Sequence, residues 1–202
     1  MADSNSQWLA KILNIDAGKA SGLAAARLAD AGQLGKDGFA LLSAAFRNGG
    51  ELDPSFTADE EDAVAPPLEW SAPPAGAMEM VLLVECPDAP GDQAFCHWVV
   101  WGLAAQKGQL LEGETPPRVG KNAFGNSEWL LPDPPTGADP HHYVFQLFAL
   151  DLPLALMPGA SRDDVLAAIE GHVTGLALLS ATYSREEGGE YDWDDDDEGE
   201  DI

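Results

Sequence analysis

The sequence predicts a mainly β domain, and three observations carry that expectation. From Phe39 onward the apolar residues fall in short runs separated by Gly, Pro and Asp. Two of those runs alternate with period two. The connections at 66–74, 87–90 and 132–140 are rich in proline, which cannot serve the middle of a hydrogen-bonded ladder. At 202 residues the chain suffices for one such domain with a full core and is too short for two with tails.

Taken in order, residues 1–35 come first, with Trp8, Leu9, Ile12 and Leu13 at helical spacing and an Ala-rich stretch that Gly32 and Gly35 break. This segment reads as a short helical arm outside the core, with a flexible leader as the alternative. Its apolar stripe requires a partner surface, on its own domain or on a second subunit. Strands are expected at 39–46, 79–85, 95–103, 143–150 and near 177–184. Within 95–101, parity groups Phe95, His97, Val99 and Trp101 on one face and Cys96, Trp98 and Val100 on the other. Within 141–149, His141, Tyr143, Phe145, Leu147 and Ala149 share a face. A late helix is capped by Ser161 with Asp164 three residues on, and Val165, Ile169 and Val173 form its stripe. Residues 36–185 thus make the domain, and 186–202 an acidic tail that repels itself and carries too little apolar surface to fold.

Charge narrows the choice of partners. Asp+Glu 35 against Lys+Arg 10 gives −25. Eleven acids lie in 186–201, and the remaining 24 against 10 still leave −14 on the body. Such a surface repels nucleic acid phosphates and anionic lipid surfaces, so neither a nucleic acid partner nor stable membrane insertion is expected. Two cysteines, Cys86 and Cys96, make no disulfide framework. No run has the length and apolarity of a signal peptide or a membrane span, so a cytoplasmic location is the expectation.

Motifs then accumulate between Pro66 and Arg185. Pro66-Pro67-Leu68-Glu69-Trp70 reads as PPLxW and Val84-Glu85-Cys86-Pro87-Asp88-Ala89-Pro90 as VxDPDAP. Cys96-His97-Trp98-Val99-Val100-Trp101 contains HWVVW, and Asn122-Ala123-Phe124-Gly125 reads as NxFG. Pro134-Pro135-Thr136-Gly137 leads into His141-His142-Tyr143-Val144-Phe145, the pattern PPxG…HRYVF, and the late helix follows. In their order and spacing these segments resemble the phosphatidylethanolamine-binding protein family in its bacterial Raf-kinase-inhibitor-like branch.

The resemblance implies an antiparallel two-sheet β-sandwich with Greek-key connections and a short C-terminal helix. It also implies a non-enzymatic, regulatory role without a cofactor, leaving open a protein partner (a kinase or another protein) and a homodimer. A small pocket for phosphate or a phospholipid headgroup is implied where Cys86, Asp88, His97, Trp129, Asp133, Pro134, His141 and Tyr143 stand. The chemistry is coherent. Two imidazoles and a phenol can hold a phosphate monoanion through charge-assisted bonds, and Asp88 can orient a histidine.

Three residues depart from the pattern: Cys86 replaces the usual first Asp of DPD, His142 replaces Arg, and Asp133 puts a carboxylate beside the PPxG loop. The competing readings are a Cys86–histidine nucleophile in a hydrolase-like enzyme, zinc held by Cys86, His97 and His141, and a scaffold with a vestigial pocket.

Overall fold

The computed structural model describes residues 4–91 and 93–186. The acidic tail lies, from residue 187 on, outside the described residues. Three short helices open the chain: α1 (Ser4–Leu13), α2 (Ala17–Ser21) and α3 (Ala24–Leu28). Strands β1 (Leu41–Leu42), β2 (Gly50–Glu51), β3 (Leu68–Trp70), β4 (Glu79–Cys86), β5 (Phe95–Ala104), β6 (Gly108–Leu110), β7 (Arg118–Val119) and β8 (His141–Leu150) follow. Helix α4 (Arg162–Ile169) and strand β9 (Val173–Tyr183) close the domain. The result is mainly β with two sheets, ordered β2-β9-β8-β4-β5-β7 and β1-β3-β6. The long strands β4, β5, β8 and β9 pair antiparallel, and the short β2 runs parallel to β9.

All eight residues of β4 are buried, because the large sheet is covered on both faces. Met80, Leu82, Val84, Phe145 and Leu147 meet Phe46, Phe56, Leu68 and Trp70 in the core between the sheets. On the opposite face Val81, Leu83, Val144 and Phe148 pack against α4 and the N-terminal helices.

The N-terminal segment therefore does not stand outside the core. Leu9, Ala20, Leu23 and Ala25 are sealed from solvent against the large sheet. The reason is partly polar. Leu23, at the N-cap of α3, offers no side-chain acceptor. The free N–H groups of Ala24 and Ala25 are taken instead by Glu85 Oε2 and Gln146 Oε1 from the sheet, each at 2.8 Å. Glu85 also accepts from Gln146 Nε2 at 2.7 Å and from the Arg162 guanidinium. A buried carboxylate is tolerable when donors saturate it in this way.

Helix α4 has the reciprocal Ser161–Asp164 capping box and buries Val165, Leu166 and Ile169. Val173 is not part of its stripe. Glu170 leaves helical geometry and Gly171 turns the chain at φ +80°, so Val173 begins β9. No helix among the described residues is long and apolar enough to cross a membrane.

Candidate functional site

A cavity of about 430 Å³ opens where β4 ends and β5 and β8 begin, lined by Cys86, His97, Asp133, His141, Tyr143 and a mostly apolar remainder. A β-bulge delivers His97 to it. Val84 pairs with Trp98 and Glu85 with Cys96, which leaves His97 without a partner residue on β4. The extra residue inverts strand parity at that point. Phe95 and His97 consequently face Tyr143 and the inter-sheet core with Trp98 and Val100, while Val99 and Trp101 turn to the helical side. The even alternation expected over 95–101 fails at the site itself. Along β8 the expected face holds, with Tyr143, Phe145, Leu147 and Ala149 in the inter-sheet core and His141 on the cavity.

His97 Nδ1 lies 2.7 Å from the Leu130 carbonyl, and its ring meets Tyr143 edge-on at 5.1 Å. Burial drives its pKa down to about 4, against the pull of that carbonyl. Burial also lowers His141, with Asp88 acting in the opposite direction. Cys86 Sγ lies 3.6 Å from His141 Nδ1, and burial pushes the thiol up to about 11. Burial likewise raises the Tyr143 phenol. His97, Cys86 and Tyr143 are therefore uncharged at neutral pH. A doubly protonated imidazole pair is disfavoured there, because the cavity is too dry for the charged form.

The other expected site residues are placed differently from one another. Pro134 lines the cavity together with Asp133. The Asp133 carboxylate is engaged by Arg185, which also reaches Asp59 at 2.6 Å. Backbone contacts of Arg185 with Thr136 and Gly137 hold the same loop. Asp88 does not line the cavity. Its oxygens face away, accepting from Lys19 Nζ at 2.6 Å, from the His142 backbone at 2.6 Å and from His142 Nδ1 at 2.8 Å. Burial opposes the charge of Asp88, yet the bonds from His142 and Lys19 outweigh it and hold the carboxyl well below its usual range. Trp129 stacks on Phe145 behind His97 and donates to the Phe56 carbonyl at 3.2 Å, so it supports the wall without lining it.

Sequence reading missed Phe95 and Phe124, whose rings meet edge-on at 5.6 Å on the cavity wall. Phe124 is 69% exposed, held out by a loop that Asn122 Oδ1 orders through the N–H groups of Phe124 and Asn126. The NxFG spacing was the available signal. Lys19 was missed because it comes from the N-terminal helices. Among the described residues no cluster of three or more His, Cys, Asp or Glu could hold a metal ion.

A mainly β fold with this cavity at the strand ends defines the class, and comparison with known proteins supplies the family. The model described as phosphatidylethanolamine-binding protein matches residues 42–184. A UPF0098 protein of Methanothermobacter thermautotrophicus is 37% identical over 155 residues, covering 72% of this chain and 98% of that one. The crystal structure of the phosphatidylethanolamine-binding protein homolog CT736 from Chlamydia trachomatis superposes with TM-score 0.68 at 32% identity, over 73% of this chain and 97% of that one. Escherichia coli YbcL shares the fold at TM-score 0.65 and 24% identity, covering 72% and 98%. The chain belongs to the phosphatidylethanolamine-binding protein family. Helices α1, α2 and α3 lie outside the matched region.

Proposed function

We propose that this chain is a non-enzymatic binding protein whose cavity accepts a phosphate-type group, free or as a phospholipid headgroup, and that occupancy modulates a protein partner. One observation carries the reading: His97, His141 and Tyr143 converge on a cavity whose walls are otherwise largely apolar. A few convergent polar groups in an apolar hollow are the usual form of a small-ligand site. The exposed Phe124 at the wall suits a ligand with a short apolar portion.

The thiol–imidazole pair favours the non-catalytic reading over a hydrolase. A nucleophilic cysteine needs a thiolate, and burial pushes Cys86 the other way, to about 11. Alkylation by iodoacetamide across pH checks this, and rapid labelling at neutral pH would revive the enzyme. The binding reading is tested by calorimetry and by histidine NMR shifts with inorganic phosphate and phosphoethanolamine. A saturable shift of His97 and His141 is expected. Its absence in both the wild type and Asp133→Gly would leave a scaffold that kept the fold without the ligand.

A further inference from the structure

We infer that the N-terminal helices belong to the binding machinery: Lys19 of α2 is a positioning residue that holds Asp88 turned away from the cavity and cancels its charge behind His141. The effect on a ligand rests on the phosphate reading above; the placement of Asp88 stands on the geometry of the chain itself.

The stretch from Lys19 to Ala24 holds the connection between β4 and β5 at three points. At its start, Glu85 Oε2 accepts from the Ala24 N–H at 2.8 Å. Further along, Asp88 Oδ1 accepts from Lys19 Nζ at 2.6 Å. At its end, the Ala94 N–H donates to the Gly22 carbonyl at 3.3 Å. The approach there is close, since a Cβ on Gly22 would stand 3.0 Å from the Ala94 nitrogen, and glycine suits the position. This same connection supplies Ala89 and Pro90 to the cavity wall, between Cys86 and Phe95. A segment outside the matched region therefore sets one wall of the site.

His141 is the link to Asp88. It lines the cavity and also a second hollow of about 670 Å³, which it shares with Lys19, Asp88, Asp139 and His142. Two groups decide what the charge of Asp88 does there. Oδ2 accepts from the backbone N–H and Nδ1 of His142. An imidazole is a full cation only when protonated, and position 142 is where the resemblance leads one to expect arginine. Lys19 supplies the permanent cation, on the other oxygen. The Asp88 side chain is only 6% exposed, so without Lys19 a nearly buried carboxylate would stand beside His141 with no permanent counter-charge. Its field would oppose an anion held by that ring. The charged and titratable groups around the pair are Asp16 and Asp139 beside Lys19, and Cys86, His141, His142 and Tyr143 beside Asp88, with His97 within reach of His141. Lys19 and Asp88 act on the His141 ring in opposite directions.

The test compares Lys19→Met with Arg27→Met. The latter removes an equally exposed charge from the same segment, but one bound to Glu170 and not to a cavity residue. In the ligand-free proteins, NMR titration of the His141 ring should give a higher midpoint in Lys19→Met and an unchanged one in Arg27→Met. Calorimetry with inorganic phosphate follows at about pH 7.5, above the ordinary histidine range. Affinity should be roughly fivefold lower or worse in Lys19→Met, the lower end of the usual coupling between sites, and unchanged in Arg27→Met. The loss should vanish when Lys19→Met is made in an Asp88→Asn background, because the lysine then has no charge to cancel. If the double variant does not fold, the His141 midpoints decide. An unmoved His141 midpoint in Lys19→Met overturns the inference. So does an equal loss of affinity in the Asp88→Asn background, which would make Lys19 a direct attraction on the ligand. Equal phosphate affinity of the wild type and Lys19→Met overturns it too, and both of these results leave the phosphate reading standing. Failure of the wild type to bind phosphate overturns that reading, and the His141 midpoints then decide the positioning role alone.

Discussion

Glu85 and Cys86 are neighbours on β4 that face opposite sides of the large sheet, and their surroundings differ in kind. Glu85 is wholly buried and charged, with donors from Ala24, Gln146 and Arg162 filling its oxygens. Arg162 in turn reaches the Gly22 carbonyl, tying the N-terminal helices to α4. Cys86 looks into a hollow where the histidines are kept neutral and one nitrogen of each imidazole is not committed to a protein partner. Polar groups that saturate one another specify structure, whereas polar groups with spare bonding capacity on a cavity wall specify a ligand. The helical side of the sheet is thus the lock, and the inter-sheet side is the candidate site.

The sharpest way to break this contrast is Glu85→Gln. Gln accepts at one oxygen only, so the largely buried Arg162 keeps as counter-charge only the exposed Asp163 at 3.4 Å. Removing one partner of a buried pair costs about 3–5 kcal/mol, to be read by chemical denaturation. A loss below about 1 kcal/mol would mean that the network is not what fastens the N-terminal segment.

Packing makes a second cut. Leu23→Ala removes a sealed side chain beneath the helices, and about 2–5 kcal/mol should be lost. Phe124→Ala, on an exposed ring at the cavity, should stay within about 0.5 kcal/mol. Equal effects would return the N-terminal segment to the role of a loosely attached leader.

Acid separates the two regions by their pH windows. The folded pKa of His97, about 4, lies below the unfolded 6.5, so between those values the unfolded chain takes up a proton that the folded chain refuses. Stability from His97 is complete above about pH 6.5 and drains away as pH falls toward 4, by up to about 3 kcal/mol. Asp88 is also depressed, but its contribution persists down to the ordinary carboxylate range and is lost only as pH falls further. Thermal melts from pH 7 to 4 should therefore lose stability first through His97. The His97→Gln protein should show a shallower upper slope, with His141, also lowered by burial, accounting for what is left.

How much of this was legible in the sequence follows the same division. The long strands, the Ser161–Asp164 cap and the motif residues of the cavity could be read from local pattern, because alternation and capping are local physics. The bulge at His97 could not, since it is a relation between β4 and β5 and leaves no mark in the spacing of 95–101. Nor could the burial of α1, α2 and α3, because the acceptors that finish α3 are Glu85 and Gln146, 61 and 121 residues away. Asp88 read as a ligand on its motif, but what decides its direction is Lys19, 69 residues earlier.

On the ligand side, His97→Ala or His141→Ala should weaken phosphoethanolamine binding by about 1.5–3 kcal/mol, the value of hydrogen bonds to a charged group. Folding of the His141→Ala protein should change little by comparison, since His141 is only partly buried. Calorimetry and melting curves on the same samples check both halves. A large melting change without a change in affinity would make these imidazoles part of the lock.

Asp133→Gly gives a small expected effect and bears on the boundary between the two kinds of polar group. Among the described residues Asp133 is the one cavity-lining carboxylate, and its side chain is 61% exposed where Arg185 engages it. Removing it leaves Arg185 with Asp59 and takes a negative charge from the rim, so the local field shifts toward anions. An exposed ion pair of this kind contributes at most about 1 kcal/mol to folding. Stability should thus move by no more than that, while phosphate affinity rises by a similar amount and more at low salt, where screening is weaker. Titrations at two ionic strengths separate the outcomes. If affinity falls on removal of Asp133, its carboxylate is positioning Arg185 or the Pro134 loop for the ligand, and it belongs to the binding machinery instead of opposing it.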